Sequence, residues 1–287
     1  MCEENGIELL AVKVPCLSAP HLYRSAWTKE KYNKIKAVCE EQGITYYDMM
    51  YDADIDIDWG KDTWDGGAHL NLNGARKISA NIGSYLTTNY NLANERSDQW
   101  DKDLTQYQEV RSVALLELEQ EFVTYINMLI NEYSDKMIFI AAPDNMSNGL
   151  NETDISTLRL LGLRMDYSQA LNKSYIAVIE NGKVQYEALS NRSLNYGGVV
   201  GLQNKRYDIC SSGWYANSQI SVRVGGIEYA VNSRGLNIVV YDVERDLVLD
   251  SVCFDTFAEY HTSVRNNGMI NGFRQEFERF IWEAGAN

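Results

Sequence analysis

The chain has little of what would mark a specialised class. Its 287 residues include five cysteines, Cys2, Cys16, Cys39, Cys210 and Cys253, and no CxxC pair. That is too few and too scattered for a disulfide scaffold or a thiolate zinc site. Cys210 and Cys253 either meet across a sheet or stay as buried free thiols. No apolar run approaches the roughly 20 residues of a membrane-spanning helix. The opening MCEENGIELLAVKVP lacks the basic and apolar regions of a signal peptide, so no export signal is read there. Positive charge is in deficit: 26 Lys and Arg stand against 40 Asp and Glu, a net charge of −14. That balance disfavours nucleic acid and anionic membrane surfaces as partners. Internal repeats and low-complexity tracts are also missing.

What remains is ordinary globular composition, 45% hydrophobic and 23% charged, in a chain long enough for two modest domains. IELLAVKV (7–14) reads as a buried strand stopped by Pro15, and 44–47 as a second. Thr28 stands as the N-cap of a helix that runs to Gln42 and closes on Gly43. Another helix covers 73–90, with Ala75, Ile78, Ile82 and Leu86 at helical spacing. Strand, helix, strand, helix is an α/β pattern with a parallel sheet. The polar stretch 91–105 reads as a boundary, followed by one long helix over 106–133. The second half is mainly β and is classed α+β. Its strands are expected at 137–141, 174–179, 184–189, 206–210, 220–224, 236–242 and 247–254, with helices over 154–163 and 269–283. Asn181-Gly182 is a strong hairpin signal. In the strand 236–242, Leu236, Ile238 and Val240 face one way and Asn237, Val239 and Tyr241 the other, with helices expected to cover the sheet.

Chemistry concentrates in the stretch from Trp64 to Ala75, on a loop leading into a helix. A histidine acting as general base needs a carboxylate to hold its tautomer and stabilise its charged form. Asp65 lies four residues before His69, with glycines between that let the loop fold the two together. Upstream, Asp52, Asp54, Asp56 and Asp58 alternate. Counted from Asp54 as an EF-hand loop, glycine falls at the seventh position (Gly60) and Asp65 replaces the closing glutamate, so no metal is expected. The same alternation reads as a short strand with one wet face. No cofactor is called for.

The block D-G-G-A-H-L-N-x-x-G-A-x-K, Asp65 to Lys77, resembles the last motif of SGNH (GDSL-like) hydrolases and acyltransferases, and the helix ending IGSYL is similar to their terminal helix. The resemblance implies a partial flavodoxin-like, three-layer piece over about 1–95. It makes His69 a general base and Asp65 its orienting carboxylate, working with a serine on acyl esters of cell-surface glycans. Bacterial members are often exported or held at the cell surface. Two departures stand out: the family spacing is commonly Asp-x-x-His, and no G-D-S block precedes residue 65. Ser18 in CLSAP lacks that context. Without an activated hydroxyl the base has nothing to deprotonate, so the chain is expected to be inactive alone.

The segments KSYIAVIENGKVQYE, RGLNIVVYD and DSVCFDT resemble the interleukin-like EMT inducer (PANDER-like, GG) domain over about 135–260, after a helical linker at 96–134. The resemblance implies a compact β-rich fold and carbohydrate binding. Tyr207, Trp214 and Tyr215 are the aromatic candidates for stacking on a sugar, with ordinary core or edge packing as the alternative. The rival reading of the whole chain is a non-catalytic glycan-binding or interaction protein.

Overall fold

The computed structural model describes residues 3–16, 25–52, 54–65, 67, 69–92 and 97–266. Cys2, Ser18 and the helix expected at 269–283 lie outside them. The chain divides into two compact units, Met1–Tyr107 and Gln108–Asn287.

In the first unit β1 (Leu10–Lys13) pairs in parallel with β2 (Thr45–Asp48), as the α/β pattern requires. Both strands are only partly buried, because the described sheet has just these two members. Helix α1 (Ser25–Glu41) connects them. It starts three residues before Thr28, with no breaker between Ser25 and Thr28 to delay it. Gly43 ends it at φ +65°, and the Ile44 N–H donates to Cys39 O at 2.8 Å. Helix α2 (Leu72–Asn89) follows the acidic loop. No strand forms over 54–58, since these aspartates bend the chain instead. Asp52 accepts from the Asp54 N–H, and Asp58 from those of Gly60 and Lys61.

The single helix expected over 106–133 is two, α3 (Asp98–Leu118) and α4 (Phe122–Glu132). Glu121 caps α4, accepting from the Val123 and Thr124 N–H groups. Residues 108–132 do not serve as a linker. Val113, Leu116, Phe122, Tyr125, Ile126 and Leu129 belong to the second unit's core.

That unit has three layers. The middle one is a six-stranded antiparallel sheet, ordered β12 (Ser263–Arg265), β11 (Leu247–Phe254), β10 (Leu236–Asp242), β3 (Met137–Ala142), β4 (Ser174–Glu180), β5 (Lys183–Ser190). Leu236, Ile238, Val240, Ile138 and Ile140 bury against α3, α4 and α5 (Glu152–Leu160). Val239, Tyr241, Met137 and Phe139 face the other way, as the alternation dictates. That face is covered by a second sheet rather than by helices: β6 (Leu194–Val200), β7 (Lys205–Ser212), β8 (Gln219–Val224) and β9 (Ile227–Glu228). The Asn181-Gly182 turn has φ of 50° and 68°, the left-handed pair a tight hairpin demands.

Strand β6 escaped the sequence reading because Gly197 and Gly198 look like breakers. A Cβ at Gly198 would stand 2.6 Å from the Tyr207 hydroxyl, so the glycine makes room for that ring. Cys210 and Cys253 sit in different sheets as free thiols. Burial raises both, Cys253 to about 12. Among the described residues no helix is long and apolar enough to cross a membrane.

Candidate active site

Asp65 and His69 meet as the sequence predicts. The His69 ring Nδ1 lies 2.7 Å from Asp65 Oδ2, and the His69 backbone N–H donates to Asp65 Oδ1 at 2.9 Å. These two bonds use both carboxylate oxygens. A carboxylate on Nδ1 fixes the proton there and leaves Nε2 with its lone pair. The His69 side chain is 80% exposed and that of Asp65 40%. Among the described residues nothing hydrogen-bonds to Nε2.

The loop carrying this pair is closed and anchored. Thr63 bridges Leu70, and the Trp64 N–H donates to His69 O at 2.9 Å. Asn71 then caps α2, its Oδ1 accepting from the Asn73 and Gly74 N–H groups while its Nδ2 donates to Lys61 O at 2.7 Å. Asp62, buried beneath the loop, takes the Lys77 ammonium at 2.6 Å and the Asp58 N–H at 2.8 Å. Lys77 also reaches Asp56 O at 2.6 Å. Among the described residues, no three His, Cys, Asp or Glu side chains are grouped to hold a metal ion.

No family model, curated protein or solved structure matches this chain.

A second histidine–carboxylate pair shows what distinguishes the first. His261, to which the sequence assigned no role, sets Nε2 2.9 Å from Asp154 Oδ2 and Nδ1 3.0 Å from Ala258 O. Its side chain is 8% exposed, that of Asp154 3%, and the ring meets Phe122 edge-on. Both nitrogens are occupied inside the fold, which leaves none for a substrate. Residues 154 and 261 are too far apart in the chain for any local pattern to have joined them.

Of the three aromatic candidates, Tyr207 is buried. It is 7% exposed, its ring 5.2 Å from that of Phe139 and 6.4 Å from that of Tyr196, which is the core packing given as the alternative. Burial pushes its phenol up to about 12. Trp214 is exposed on a short turn, and the Tyr215 side chain lies outside what the structure describes.

The outer face of the β6–β9 sheet was missed. It forms an open trough of about 1360 Å³. Along β7 the inward residues Tyr207, Ile209 and Ser211 are buried, while Arg206 and Asp208 are exposed to the trough. Among the described residues neither Arg206 nor Asp208 has an ion-pair partner, whereas Glu228 beside them holds Arg223 at 3.2 Å. The period-two polarity of 206–212 was the available signal.

Proposed function

We propose that the first unit is the C-terminal part of an SGNH-type acyl-transfer domain, with that family's flavodoxin-like layering. His69 is the general base toward a serine hydroxyl, and the substrate is an O-acyl ester on a cell-surface glycan. The reading is carried by one observation, an exposed imidazole whose Nδ1 is held by a carboxylate at 2.7 Å. In the reaction, Nε2 takes the hydroxyl proton as the serine oxygen attacks the ester carbonyl. Asp65 stabilises the resulting imidazolium, and Nε2 returns the proton to the departing sugar oxygen. Water or an acceptor hydroxyl then takes the acyl group by the same steps. The parallel β1–β2 pair leading into the loop through Asp48 supports this placement of the base.

The test is labelling with a fluorophosphonate probe, using the protein as its gene encodes it. Together with the serine-bearing part of that domain, the unsubstituted chain forms a serine adduct. His69→Gln lowers its rate by about 10²-fold or more, with circular dichroism unchanged. Mapping the adduct identifies the serine, and Ser18→Ala decides whether it is Ser18. Absence of an adduct, or one indifferent to His69→Gln, overturns the reading.

The second reading, a non-catalytic glycan-binding protein built on the interleukin-like EMT inducer resemblance, is favoured by the trough. Four strands spaced about 4.8 Å apart make a floor roughly 14 Å wide. Arg206 and Asp208 stand there with unspent hydrogen-bonding capacity, suited to the hydroxyls of an uncharged sugar. On a glycan array, binding that survives His69→Gln and is lost in Arg206→Ala/Asp208→Ala supports this reading. Binding unchanged in the double variant rejects it.

A further inference from the structure

We propose that the trough on the outer face of the β6–β9 sheet reads free hydroxyls, and so takes an extended, uncharged oligosaccharide that carries no O-acyl groups. The proposal rests on the glycan-binding reading of that face. Side chains alternate along β7, so Arg206, Asp208, Cys210 and Ser212 share the outer side over about 20 Å. Pairing sets Asn195 beside Cys210 and Gln219 beside Ser212. Gly197, opposite Asp208, adds no side chain there. Among the described residues the side chains of Asn195, Arg206, Asp208 and Gln219 have no hydrogen-bond partner. Unspent donors and acceptors therefore stand at both ends, Arg206 and Asp208 at one, Asn195 and Gln219 toward the other.

The lining offers hydrogen bonds rather than ring stacking. Tyr196 and Tyr207 turn inward, Tyr196 stacked on Tyr186 at 4.2 Å and Tyr207 5.2 Å from Phe139. Val199 is the one exposed large apolar residue in the lining. A peptide needs apolar pockets or a free sheet edge, and a single-stranded nucleic acid needs stacking rings. Charge in the lining is balanced: Arg206 and Arg223 stand against Asp208 and Glu228, with Arg223 held by Glu228 at 3.2 Å. Next in the chain to lining residues, Arg192 is exposed and Lys205 is bound to Asp246. Neither sign dominates the floor, which suits a ligand without charge. A sugar hydroxyl both donates and accepts, whereas Arg206 only donates and Asp208 only accepts. O-acylation replaces the O–H by an ester oxygen, which leaves Asp208 facing a group with no proton to give. The free chain fits where the acylated one does not.

The experiment measures Kd by isothermal titration calorimetry on the full chain. Cellotetraose, mannotetraose and xylotetraose are the probes, each also as its O-acetylated form and its disaccharide. At least one tetraose binds, its acetylated form about tenfold more weakly. Its disaccharide, too short to engage both ends, is also about tenfold weaker. Asp208→Ala weakens the free tetraose about tenfold and brings the acetylated one within about threefold of it. Asn195→Ala/Gln219→Ala lowers tetraose affinity about tenfold, and both variants keep the unsubstituted thermal midpoint. Bound tetraose slows alkylation of Cys210 by N-ethylmaleimide, because that thiol lies on the floor. If no tetraose binds, or binding leaves Cys210 alkylation unchanged, the glycan reading of the trough falls and this inference with it. If a tetraose protects Cys210, the reading stands, and three results overturn the inference alone. These are equal affinity for the acetylated form or the disaccharide, discrimination intact in Asp208→Ala, and unchanged binding in Asn195→Ala/Gln219→Ala.

Discussion

At the scale of single residues, the Asp65–Lys77 block divides its labour. Asp65 and His69 face solvent, and the proposed function assigns them the chemistry. Asn71, Gly74 and Lys77 hold the loop that presents them. A Cβ on Gly74 would stand 2.4 Å from Asp62 O, backbone that cannot give way cheaply. Gly74→Ala should therefore cost about 1–3 kcal/mol and weaken fluorophosphonate labelling with it. Urea unfolding of the variant beside the unsubstituted protein checks the stability, and an unchanged midpoint would refute the expectation. The sequence exposed the dyad because both members lie within one short loop. It could not place Tyr207, since an aromatic in an alternating strand reads the same from either face.

At the scale of elements, the well-read strands are those with uninterrupted patterns, such as β10 with its two opposed apolar sets. The break between α3 and α4 was invisible. Glu119-Gln120-Glu121 favours helix by propensity, but Arg265, 146 residues or more along the chain, donates to Leu116 O and Glu119 O and ends α3 there. Beyond the end of β11 a different pair ties two segments, Arg234 to Asp255 at 2.6 and 3.0 Å. The hydrogen bonds from Arg234 hold the Asp255 carboxyl below its usual range. A depressed carboxyl contributes stability that is present above its unfolded value, about 3.9, and is lost as pH falls through the folded one. Both side chains are partly exposed, so the contribution is under about 1 kcal/mol. The urea midpoint of the unsubstituted protein should fall further between about pH 5 and pH 3 than that of Arg234→Gln. Parallel slopes would contradict this.

At the scale of the whole molecule, the second unit buries several carboxyls, Asp154, Asp242 and Asp250 among them. Asp250 is fully buried, and burial pushes its carboxyl up against the pull of Arg265 at 3.3 Å. Tyr125 donates to it at 3.0 Å and the Ser251 N–H at 2.9 Å. This cluster joins α4, β11 and β12, and through Arg265 the end of α3. Arg265→Met strands the carboxylate and should destabilise by about 3–5 kcal/mol, while Asp250→Asn/Arg265→Met should cost less than the single change. Equilibrium denaturation of the three proteins tests this, and a double variant weaker than the single would defeat it.

Strand β3, six residues with no exposed side chain, is one of the central strands, with β4 and β10, whose side chains enter both cores of that unit. Ile138 and Ile140 belong to the helical side, Met137 and Phe139 to the sheet side. A loosening of either layer is therefore felt by the same backbone, and neither can melt while the other stays native. Its amide protons should be among the last to exchange with deuterated water, and the free energy they report should be that of unfolding the entire unit.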